Sequence, residues 1–546
     1  MINSNIVRAN WRNIPQIVPL VFLRCAVAVV VLGAFCVGTI ASDIAPPQTF
    51  SYSELIDLYD KDSLSPKMKA KLSLLLTTPF VVNDYPNTSR TFSRSMFLGS
   101  YIRVASWNIE RGLEYDAIEA AFGDAAKFEA MLDSEEFPPG SDERDQVLEE
   151  AAALRSADII IINEVDMGMK RTDYRNIVGD LAAKLGMNYA FGVQFVELSP
   201  VKLSRKQEAA DSIEKEMLDV IRVDRERYKG LHGTAILSRF PLENVRLKPF
   251  VHQPYDWYAS EKKGPSFVDK SKRHIAKRIF LEKTLQEVRR GGRMMLSADV
   301  TDERFPGGRL TVVATHLENR TKPAGRLKQL EEVLASIKGV LNPVVLAGDM
   351  NTSGQDLAPS SIGRELKKRF GNPKFWIKTG MKYAFGLGLA EEVILGGITF
   401  GRNHNDPTVG HVPFLLPNPE RKFFNDLGKF RFNDGGVFDF RGEKERSAER
   451  RSGTLSNSNE RGFKGFVTTY RVNRPVKFIG KYKLDWIFVK PYGYEGGKTK
   501  SGISPPFSPH FGRTLRAIPE IIENRISDHR PIIVDLPIEG VKIRKL

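Results

Sequence analysis

The chain contains almost no cysteine. Only Cys25 and Cys36 occur among its 546 residues, so neither a disulfide framework nor a zinc site built from several cysteines supports the main part of the chain. Histidine is scarce as well, with eight residues, and no internal repeat is visible, which argues against a repeat architecture. Basic residues outnumber acidic ones, so the formal net charge is +15 and the pI is about 9.5. This excess favours anionic partners: nucleic acid, an anionic membrane surface or a phosphorylated small molecule.

The composition is that of a folded protein. Hydrophobic residues make up 41% of the chain and charged residues 27%, which suits a large buried core and not a disordered tail. At this length, one large domain with insertions and two separate domains are both possible.

Residues 1–42 have the pattern of an export signal. They contain three arginines and no acidic residue, and they end in an uncharged apolar run over residues 25–42. Small residues at Thr39 and Ala41 predict cleavage before Ser42, which leaves a net charge of 15 − 3 = +12 on the mature chain. The run is near the lower length limit for crossing a bilayer, so a retained membrane anchor is the alternative. We therefore expect an exported protein, periplasmic or extracellular, or one anchored by this segment.

Residues 43–97 are predicted to form a helical lead-in. The segments SYSELIDLYD and SPKMKAKLSLLL show helical apolar spacing, and the second has a start signal, with Ser65 as N-cap and Pro66 at the first helical position. Neither segment contains an evident catalytic motif.

The main domain, residues 98–537, alternates strand-length apolar runs with amphipathic or polar segments. The runs are DIIIINEV, HGTAILSRFP, RMMLSADV, RLTVVATHL, PVVLAGDMN, LDWIFVK and RPIIVDL. Several are apolar at consecutive positions, which is typical of strands covered on both faces. Between two of them, leucine and isoleucine recur at helical spacing from Leu327 to Ile337. The pattern predicts an α/β sandwich with sheet inside and helices outside.

Polar side chains stand at the ends of these strands. Those that follow a strand are Asn108, Glu164, His316, Asp349 and Asn351, whereas Asp485, Asp528 and His529 precede or begin one. If the two kinds of strand run in opposite directions, all eight side chains meet at one edge and form one pocket.

The residue types in this set suit phosphate chemistry. Glu164, Asp528 and the amide oxygen of Asn108 are hard oxygen ligands, which favour Mg²⁺ or Mn²⁺ over zinc, and magnesium commonly shares its ligands with substrate phosphate. Asp349 can take a proton from an attacking water or orient it.

The remaining residues of the set suit phosphate binding. Asn351 can hold the same water or a phosphate oxygen. His529, if held by Asp485, can stay protonated and stabilise charge on the phosphate, and His316 can do so from the opposite side. Singly, each residue has a simple structural interpretation, as a turn former or a hydrogen-bonded core residue.

Seven motifs, in order, resemble those of the endonuclease/exonuclease/phosphatase superfamily. They are SWNIERG, NEVD, HGTAILSRFP, ATHLEN, LAGDMNT, KLDWIFV and SDHRPI, between Ile102 and Leu536. The superfamily includes deoxyribonuclease I, abasic-site nucleases, bacterial sphingomyelinases and inositol polyphosphate phosphatases. The resemblance implies a four-layer fold of two packed β-sheets flanked by helices, and a metal-dependent attack of water on a phosphate ester.

The resemblance also implies a role for each site residue. Glu164 is the principal metal ligand, with Asn108 and Asp528 near metal or phosphate. Asp349 activates water and Asn351 positions it. His316 and His529 bind phosphate, and Asp485 orients His529.

Several features of the sequence depart from the family pattern. Residues 113–155 form an apparent helical insertion that we expect to overhang the site. Thr234 stands where many relatives have asparagine, and no carboxylate partner for His316 is evident.

Further insertions lie near residues 260–293, which are rich in Lys and Arg, and near residues 400–465. In the later insertion, phenylalanines from Phe414 to Phe438 alternate with basic residues. Most of these rings are predicted to form a local core, whereas exposed rings beside basic residues would suit base stacking or membrane contact. A polar segment expected to be a mobile loop follows, and residues 538–546 form a basic tail.

The sequence therefore predicts an exported phosphoric ester hydrolase that uses Mg²⁺, with Mn²⁺ possible, and it favours a phosphodiesterase over a phosphomonoesterase. Its partner is an anionic phosphate ester, with nucleic acid and membrane lipid as candidate classes, and no obligate protein partner is evident. The specific activity can be that of a nuclease, a sphingomyelinase-like lipid phosphodiesterase or a phosphatase of sugars or inositols. The alternative from another class is a noncatalytic surface module that binds anions.

Overall fold

The computed structural model describes residues 46–85, 91–198, 223–262, 287–352, 408, 420–462, 465–471, 481–497, 502–522 and 525–542. The predicted signal or anchor segment lies outside these residues, and so do the greater part of the basic insertion and the first part of the later one. Among the helices of the described residues, none combines the length and the apolar character needed to cross a bilayer.

The described part of the chain contains nine α-helices. They are α1 (Tyr52–Asp60), α2 (Pro66–Thr77), α3 (Tyr115–Gly123), α4 (Ala125–Ala130), α5 (Asp142–Arg155), α6 (Ile177–Leu185), α7 (Ala259–Lys262), α8 (Pro323–Ile337) and α9 (Arg421–Lys429). Short 3₁₀ turns lie at Lys170–Thr172, Pro306–Gly308, Lys444–Arg446 and Ile518–Glu520. The predicted start of α2 is confirmed, because the Ser65 hydroxyl accepts a hydrogen bond from the Met68 N–H and Pro66 is the first helical residue.

Twenty β-strands accompany them. They are β1 (Phe80–Val82), β2 (Ser93–Ser95), β3 (Gly99–Arg111), β4 (Ile159–Met167), β5 (Asn188–Glu197), β6 (Leu231–Ser238), β7 (Leu242–Pro249), β8 (Arg289–Gly291), β9 (Met294–Thr301), β10 (Arg309–His316), β11 (Val344–Asp349), β12 (Arg461–Gly462), β13 (Gly465–Phe466), β14 (Tyr470–Arg471), β15 (Lys481–Tyr482), β16 (Asp485–Lys490), β17 (Ile503–Ser504), β18 (His510–Thr514), β19 (Ile532–Pro537) and β20 (Val541–Lys542). Each of the seven predicted apolar runs contains one of these strands.

Two sheets form the centre of the molecule. The larger has nine strands, in the order β1-β5-β6-β4-β3-β19-β18, with β2 beside β3 and β8 beside β5. The smaller has five, in the order β16-β11-β10-β9-β7. Each sheet contains one parallel pair, β3 with β4 and β10 with β11, and each pair has an antiparallel neighbour, β19 beside β3 and β16 beside β11.

The sheets pack face to face over an apolar core. The core joins Val104 and Ile161 of the larger sheet to Val312, Val345 and others of the smaller one. A second core lies between the larger sheet and the helices α1 to α6, and a third packs α8 and α9 against the smaller sheet. The predicted four-layer α/β sandwich is therefore confirmed, with apolar residues on both faces of the central strands because each face is covered.

Residues 113–155 are part of a layer of this fold. Their helices α3, α4 and α5 bury Ile118, Phe122, Val147 and Leu154 in the core on the outer face of the larger sheet. The expectation that this segment overhangs the site is wrong, because its apolar face needs the sheet as a partner.

The polar segment expected to be a mobile loop is instead built into the structure. The Asn459 side chain donates to the Ile487 carbonyl at 2.8 Å and accepts from the Ile487 N–H at 3.2 Å, which covers the open edge of β16. The Glu460 carboxylate accepts from the Thr514 N–H of β18 at 2.9 Å. Residues 457–460 are buried, and they join an edge strand of each sheet. Their polarity reflects these backbone hydrogen bonds and not contact with solvent.

Four phenylalanines of the later insertion are buried too. Phe423, Phe424, Phe432 and Phe438 belong to the core beneath the smaller sheet. The interpretation of these rings as a local core is confirmed, whereas Phe414 lies outside the described residues.

Candidate active site

Strand direction brings the predicted polar ends together. In the parallel pair of the smaller sheet, His316 at the end of β10 is level with Asp349 at the end of β11. In the antiparallel pair, Asp349 lies opposite Asp485, the first residue of β16. In the larger sheet, β3 ends near Asn108, while the antiparallel β19 starts at Ile532, directly after the segment with His529. The two sheets therefore contribute side chains to one edge of the sandwich.

Two neighbouring β-bulges direct Glu164 into this edge. The pairing of β4 with β6 shifts between Ile162 and Val165, and its pairing with β3 shifts between Asn108 and Arg111. Glu164 sits in the irregular stretch with a φ of +53°, a conformation that non-glycine residues seldom adopt and that costs roughly 1–3 kcal/mol. A bulge turns a side chain away from the regular alternation of a strand, and here it brings the Glu164 Oε1 to 3.3 Å from the Asn108 Nδ2.

Asp349 lies at the centre of the cluster. Its Oδ1 accepts a hydrogen bond from the Asn351 N–H at 2.9 Å, and its Oδ2 accepts one from the Asn108 Nδ2 at 3.2 Å. Two imidazoles face the same Oδ2, with the Nε2 of His316 at 3.5 Å and that of His529 at 3.8 Å. Burial raises the pKa of Asp349 to about 6, although the positive charge of His529 opposes the increase. One oxygen is thus engaged by the backbone, and the other faces the site.

His529 and Asp485 form a buried hydrogen-bonded pair, which we call the His529–Asp485 dyad. The His529 Nδ1 lies 2.8 Å from the Asp485 Oδ2. Burial alone would lower the pKa of His529, but the carboxylates of Asp485 and Asp349 raise it well above its usual range. The imidazole is therefore protonated at neutral pH, with its Nε2 directed toward Asp349.

His316 has the opposite electrostatic environment. Its Nδ1 is buried and has no hydrogen-bond partner among the residues that the structure describes. Burial, together with the positive charge of Arg293, lowers the pKa of the His316 imidazole well below its usual range. The Arg293 guanidinium is itself buried and lies 3.4 Å from Glu318. His316 therefore has a carboxylate neighbour, that of Asp349, only on its Nε2 side, and the imidazole is neutral.

Asp528 and Asn351 complete the predicted set. The Oδ1 of Asp528 is 4.0 Å from the His529 Nε2, and its backbone N–H donates to Glu110 at 3.0 Å. The Asn351 side-chain nitrogen donates to the Leu317 carbonyl at 2.9 Å, so this side chain fastens the end of β10 to the turn after β11. All eight predicted residues lie in this one region.

Asn163 is a site residue that the sequence analysis missed. Its Oδ1 accepts the Asp349 N–H at 2.8 Å, and its Nδ2 donates to Thr234 at 3.0 Å and to the Thr315 carbonyl at 3.2 Å. The side chain thereby joins the larger sheet to the catalytic end of the smaller one. A polar residue within the apolar run DIIIIN was the available signal. The Thr234 hydroxyl, at the position where many relatives have asparagine, accepts this hydrogen bond from Asn163.

A second imidazole–carboxylate pair was also missed. The His232 Nδ1 lies 2.9 Å from Asp166, which also accepts two hydrogen bonds from Arg171, at 2.6 and 3.0 Å. Asp166 is thus part of a buried ion-pair network and does more than cap a loop. Burial lowers the pKa of His232, although Asp166 opposes this effect. Glu197 belongs to the same network, because it pairs with Arg171 and Arg289.

The charges of the site fit a bound divalent cation. Four carboxylates, those of Glu164, Asp349, Asp485 and Asp528, lie near one protonated imidazole, His529. Burial would raise the pKa of Glu164, but the guanidinium of Arg111 and the nearby imidazoles lower it, so that Glu164 is ionised. Asp349, Asp485 and His529 also bring ligand atoms within 4.8 Å of one another, but the dyad hydrogen bond already occupies two of those atoms. Glu164 and Asp528 are therefore the better candidates for a hard cation. The Asn108 Oδ1, predicted as a further ligand, accepts the Glu110 N–H at 3.1 Å, and the Asn108 Nδ2 donates to Glu164 at 3.3 Å.

Comparison with known protein families agrees with this geometry. The model of the Endonuclease/Exonuclease/phosphatase family matches residues 105–529, which is more than half of the chain. The chain belongs to this family. The matched range includes every site residue described above. No curated protein matches the chain.

Several solved structures show distant similarity to this chain. An endonuclease/exonuclease/phosphatase from Beutenbergia cavernae is 16% identical, with 80% of this chain and 71% of that chain covered and a TM-score of 0.34. The human Nocturnin catalytic domain is 13% identical, with coverages of 84% and 97% and a TM-score of 0.32. Truncated Caenorhabditis elegans TDP2 is 12% identical, with coverages of 80% and 97% and a TM-score of 0.30. The assignment to the family rests on the sequence match.

Proposed function

We propose that this protein is an exported, divalent-metal-dependent phosphoric ester hydrolase that cleaves phosphodiesters. The observation that carries the proposal is the environment of the Asp349 Oδ2, which faces the Asn108 amide and two imidazoles within 3.8 Å. A buried carboxylate with a raised pKa, surrounded by groups that bind phosphate or metal, is the arrangement needed to activate water beside a phosphate.

In this mechanism Asp349 is the general base. Its Oδ1 is held by the Asn351 N–H, and its backbone N–H is held by Asn163, so the carboxylate has a defined orientation. The Oδ2 then accepts the proton of the attacking water. General-base catalysis of this kind contributes about 10²- to 10⁴-fold to a rate.

Positive charge on the phosphate side comes from His529. The dyad keeps His529 protonated, so its Nε2–H can donate to a phosphoryl oxygen as negative charge develops there. On the other side His316 is neutral, and it can donate a hydrogen bond without adding charge.

Glu164 and Asp528 would hold the metal ion, and the Asn108 Oδ1 would join them once it exchanged the Glu110 N–H for the cation. Mg²⁺ or Mn²⁺ bound there would polarise the phosphoryl oxygen and neutralise charge in the transition state. The strained backbone of Glu164 indicates that its carboxylate is positioned in advance of binding.

The described residues weaken one argument for lipid substrates. Phenylalanines of the later insertion had been considered for membrane contact or base stacking, but the four named above are buried. The substrate classes to be compared remain nucleic acid, phospholipid and phosphorylated sugars or inositols.

A substrate panel tests the proposal. The purified protein should hydrolyse bis(p-nitrophenyl) phosphate with Mg²⁺ or Mn²⁺ and lose this activity in EDTA. Single-stranded DNA, sphingomyelin vesicles and inositol phosphates then distinguish the specific activities, and only nucleic acid binding should weaken steeply with salt. Binding to these substrates without metal-dependent hydrolysis of any of them would favour the noncatalytic alternative.

Export is a separate part of the proposal, supported by the pattern of residues 1–42. Mass spectrometry of the protein from cell fractions should find a new N-terminus at Ser42 in the exported fraction. An intact N-terminus in the membrane fraction would support the anchor, and an intact N-terminus in the cytosol would refute export.

A further inference from the structure

The two members of the His529–Asp485 dyad come from different sheets. Asp485 begins β16 of the smaller sheet, whereas His529 precedes β19 of the larger one. Their 2.8 Å hydrogen bond therefore depends on how the two sheet edges are held relative to each other. A short segment that follows the later insertion, Thr469–Arg471, contacts both members, and we call it the clamp.

One side of the clamp holds the start of β16. The Thr469 Oγ1 accepts hydrogen bonds from the Leu484 N–H at 3.0 Å and from the Asp485 N–H at 3.1 Å. The Thr469 N–H donates to the Tyr482 carbonyl at 2.8 Å. A threonine side chain thus completes the backbone hydrogen bonding at the residue that carries the dyad carboxylate. Thr469 is fully buried, so water cannot replace its hydroxyl without a rearrangement.

The other side of the clamp holds the segment with His529. The Arg471 N–H donates to the Asp528 carbonyl at 3.1 Å, and the Arg530 N–H donates to the Thr469 carbonyl at 2.7 Å. These two bonds form an isolated antiparallel bridge that pairs Tyr470 with His529. The residues on either side of His529 are therefore bonded to the same segment that holds the Asp485 N–H. The His529 N–H itself donates to the Ser527 hydroxyl, and its carbonyl accepts from Trp107.

The Tyr470 ring packs against the imidazole itself. Its centroid lies 4.9 Å from that of the His529 ring, at an interplanar angle of 60°. On its other side, Tyr482 is stacked at 6.0 Å and 17°. Tyr470 is buried, so its ring is confined and limits rotation of the imidazole about its side-chain bonds.

We propose that Thr469 and Tyr470 are positioning residues that keep His529 in register with Asp485. The inference rests on the proposed function, because the dyad matters only if His529 acts on phosphate. Groups that orient catalytic or metal-binding side chains typically affect activity 10- to 100-fold when they are lost. A structural role alone would lower stability and leave the turnover of the folded enzyme unchanged.

The experiment compares Thr469→Val with Thr469→Ser in the full chain. Valine keeps the shape and removes the acceptor of two N–H groups, whereas serine retains that acceptor. Thr468→Val is the matched control, because the Thr468 hydroxyl contacts Arg530 and no dyad side chain. Each substitution is made in the unaltered protein and in the His529→Ala background. The readouts are kcat and KM for bis(p-nitrophenyl) phosphate, with melting temperature as a check of folding.

We expect Thr469→Val to lower kcat about 10- to 100-fold with KM changed little, and Thr469→Ser and Thr468→Val to stay close to the unaltered protein. In the His529→Ala background, Thr469→Val should cause no further loss, because residues that act through one group are not additive. An equal loss in both backgrounds, or none in either, would overturn the positioning role. Full activity of His529→Ala would instead refute the proposed function itself.

Tyr470→Leu provides a second route if Thr469→Val does not fold. It removes the ring that confines the imidazole and keeps the backbone bridge. We expect about a tenfold loss of kcat that disappears in the His529→Ala background. Unchanged kcat in Tyr470→Leu would exclude the ring from the mechanism.

Discussion

Replacing Asp349 by asparagine separates its catalytic role from its contribution to stability. The substitution preserves the shape of the side chain, but it places an NH₂ group where the carboxylate had an acceptor oxygen. In one orientation its NH₂ group faces the Asn351 N–H, and in the other it faces the Asn108 Nδ2. Both contacts set donor against donor, which costs about 1–3 kcal/mol for a buried group.

A second effect opposes this cost. Burial raises the pKa of Asp349 from its usual value of 3.8 to about 6. At about 1.4 kcal/mol per tenfold change in proton affinity, ionised Asp349 lowers the stability of the metal-free protein by roughly 3 kcal/mol at pH 7. Because the folded-state pKa is the higher one, this penalty fades as the pH falls from about 6 to about 4. The neutral asparagine removes it at every pH.

The two effects nearly cancel, so the free energy of unfolding of Asp349→Asn in EDTA at pH 7 should lie within about 2 kcal/mol of that of the unaltered protein. Its kcat should fall by about 10²- to 10⁴-fold, because the proton acceptor is lost. Urea unfolding and hydrolysis of bis(p-nitrophenyl) phosphate measure the two quantities. Asp299→Asn, at a carboxylate in the interior of β9, is the control. A variant that unfolds normally and retains full activity would refute the assignment of Asp349 as base.

Three further predictions concern metal binding and stability. Glu164→Gln should lose most of the increase in melting temperature that Mg²⁺ or Mn²⁺ gives the unaltered protein in calorimetry, since a charged ligand is removed; an undiminished increase would contradict the metal site. Asp535→Ala should lower the free energy of urea unfolding by about 2–4 kcal/mol, because Arg103 loses a bidentate partner at 2.7 and 2.9 Å. The double variant Arg103→Met, Asp535→Leu should recover most of the lost free energy, because no unpaired charge is left buried. Asn459→Ala should cost about 1–3 kcal/mol in the same assay, since two backbone groups of Ile487 lose their partner, and a neutral result would mean that water replaces it.

The strands were predictable because their sequences carry a strong local signal. Runs such as DIIIIN and VVLAG are apolar at consecutive positions, and only strands covered on both faces bury such runs completely. The start of α2 was predictable for a similar reason, since Ser65 and Pro66 act on backbone groups within one turn. The eight polar residues were found because they stand at the ends of these runs.

The neutral state of His316 was not predictable. Both imidazoles were expected to stabilise charge on the phosphate, and Asp485 was expected as the partner of His529. His316 is neutral instead, because burial and the positive charge of Arg293 lower the pKa of its imidazole. Local sequence does not show which charges lie near a buried imidazole.

The prediction of a mobile loop near Asn459 was wrong for a related reason. Composition distinguishes polar from apolar residues, but it does not show whether a polar side chain meets water or a buried backbone group. Here the Asn459 amide pairs with Ile487 at an edge strand, so a segment with the composition of a loop becomes buried. The same limitation concealed Asn163, whose three hydrogen bonds join the two sheets.

By itself, the amino-acid sequence determined which segments form strands and helices, the family and the set of side chains available for chemistry, since apolar periodicity and motif order act over short stretches. Only the tertiary structure decided which oxygen of Asp349 faces the site, how a bulge aims Glu164, and which histidine keeps its proton. Those properties arise from distances of a few ångströms between residues far apart in the chain, and burial makes them strong because little water is present to screen them.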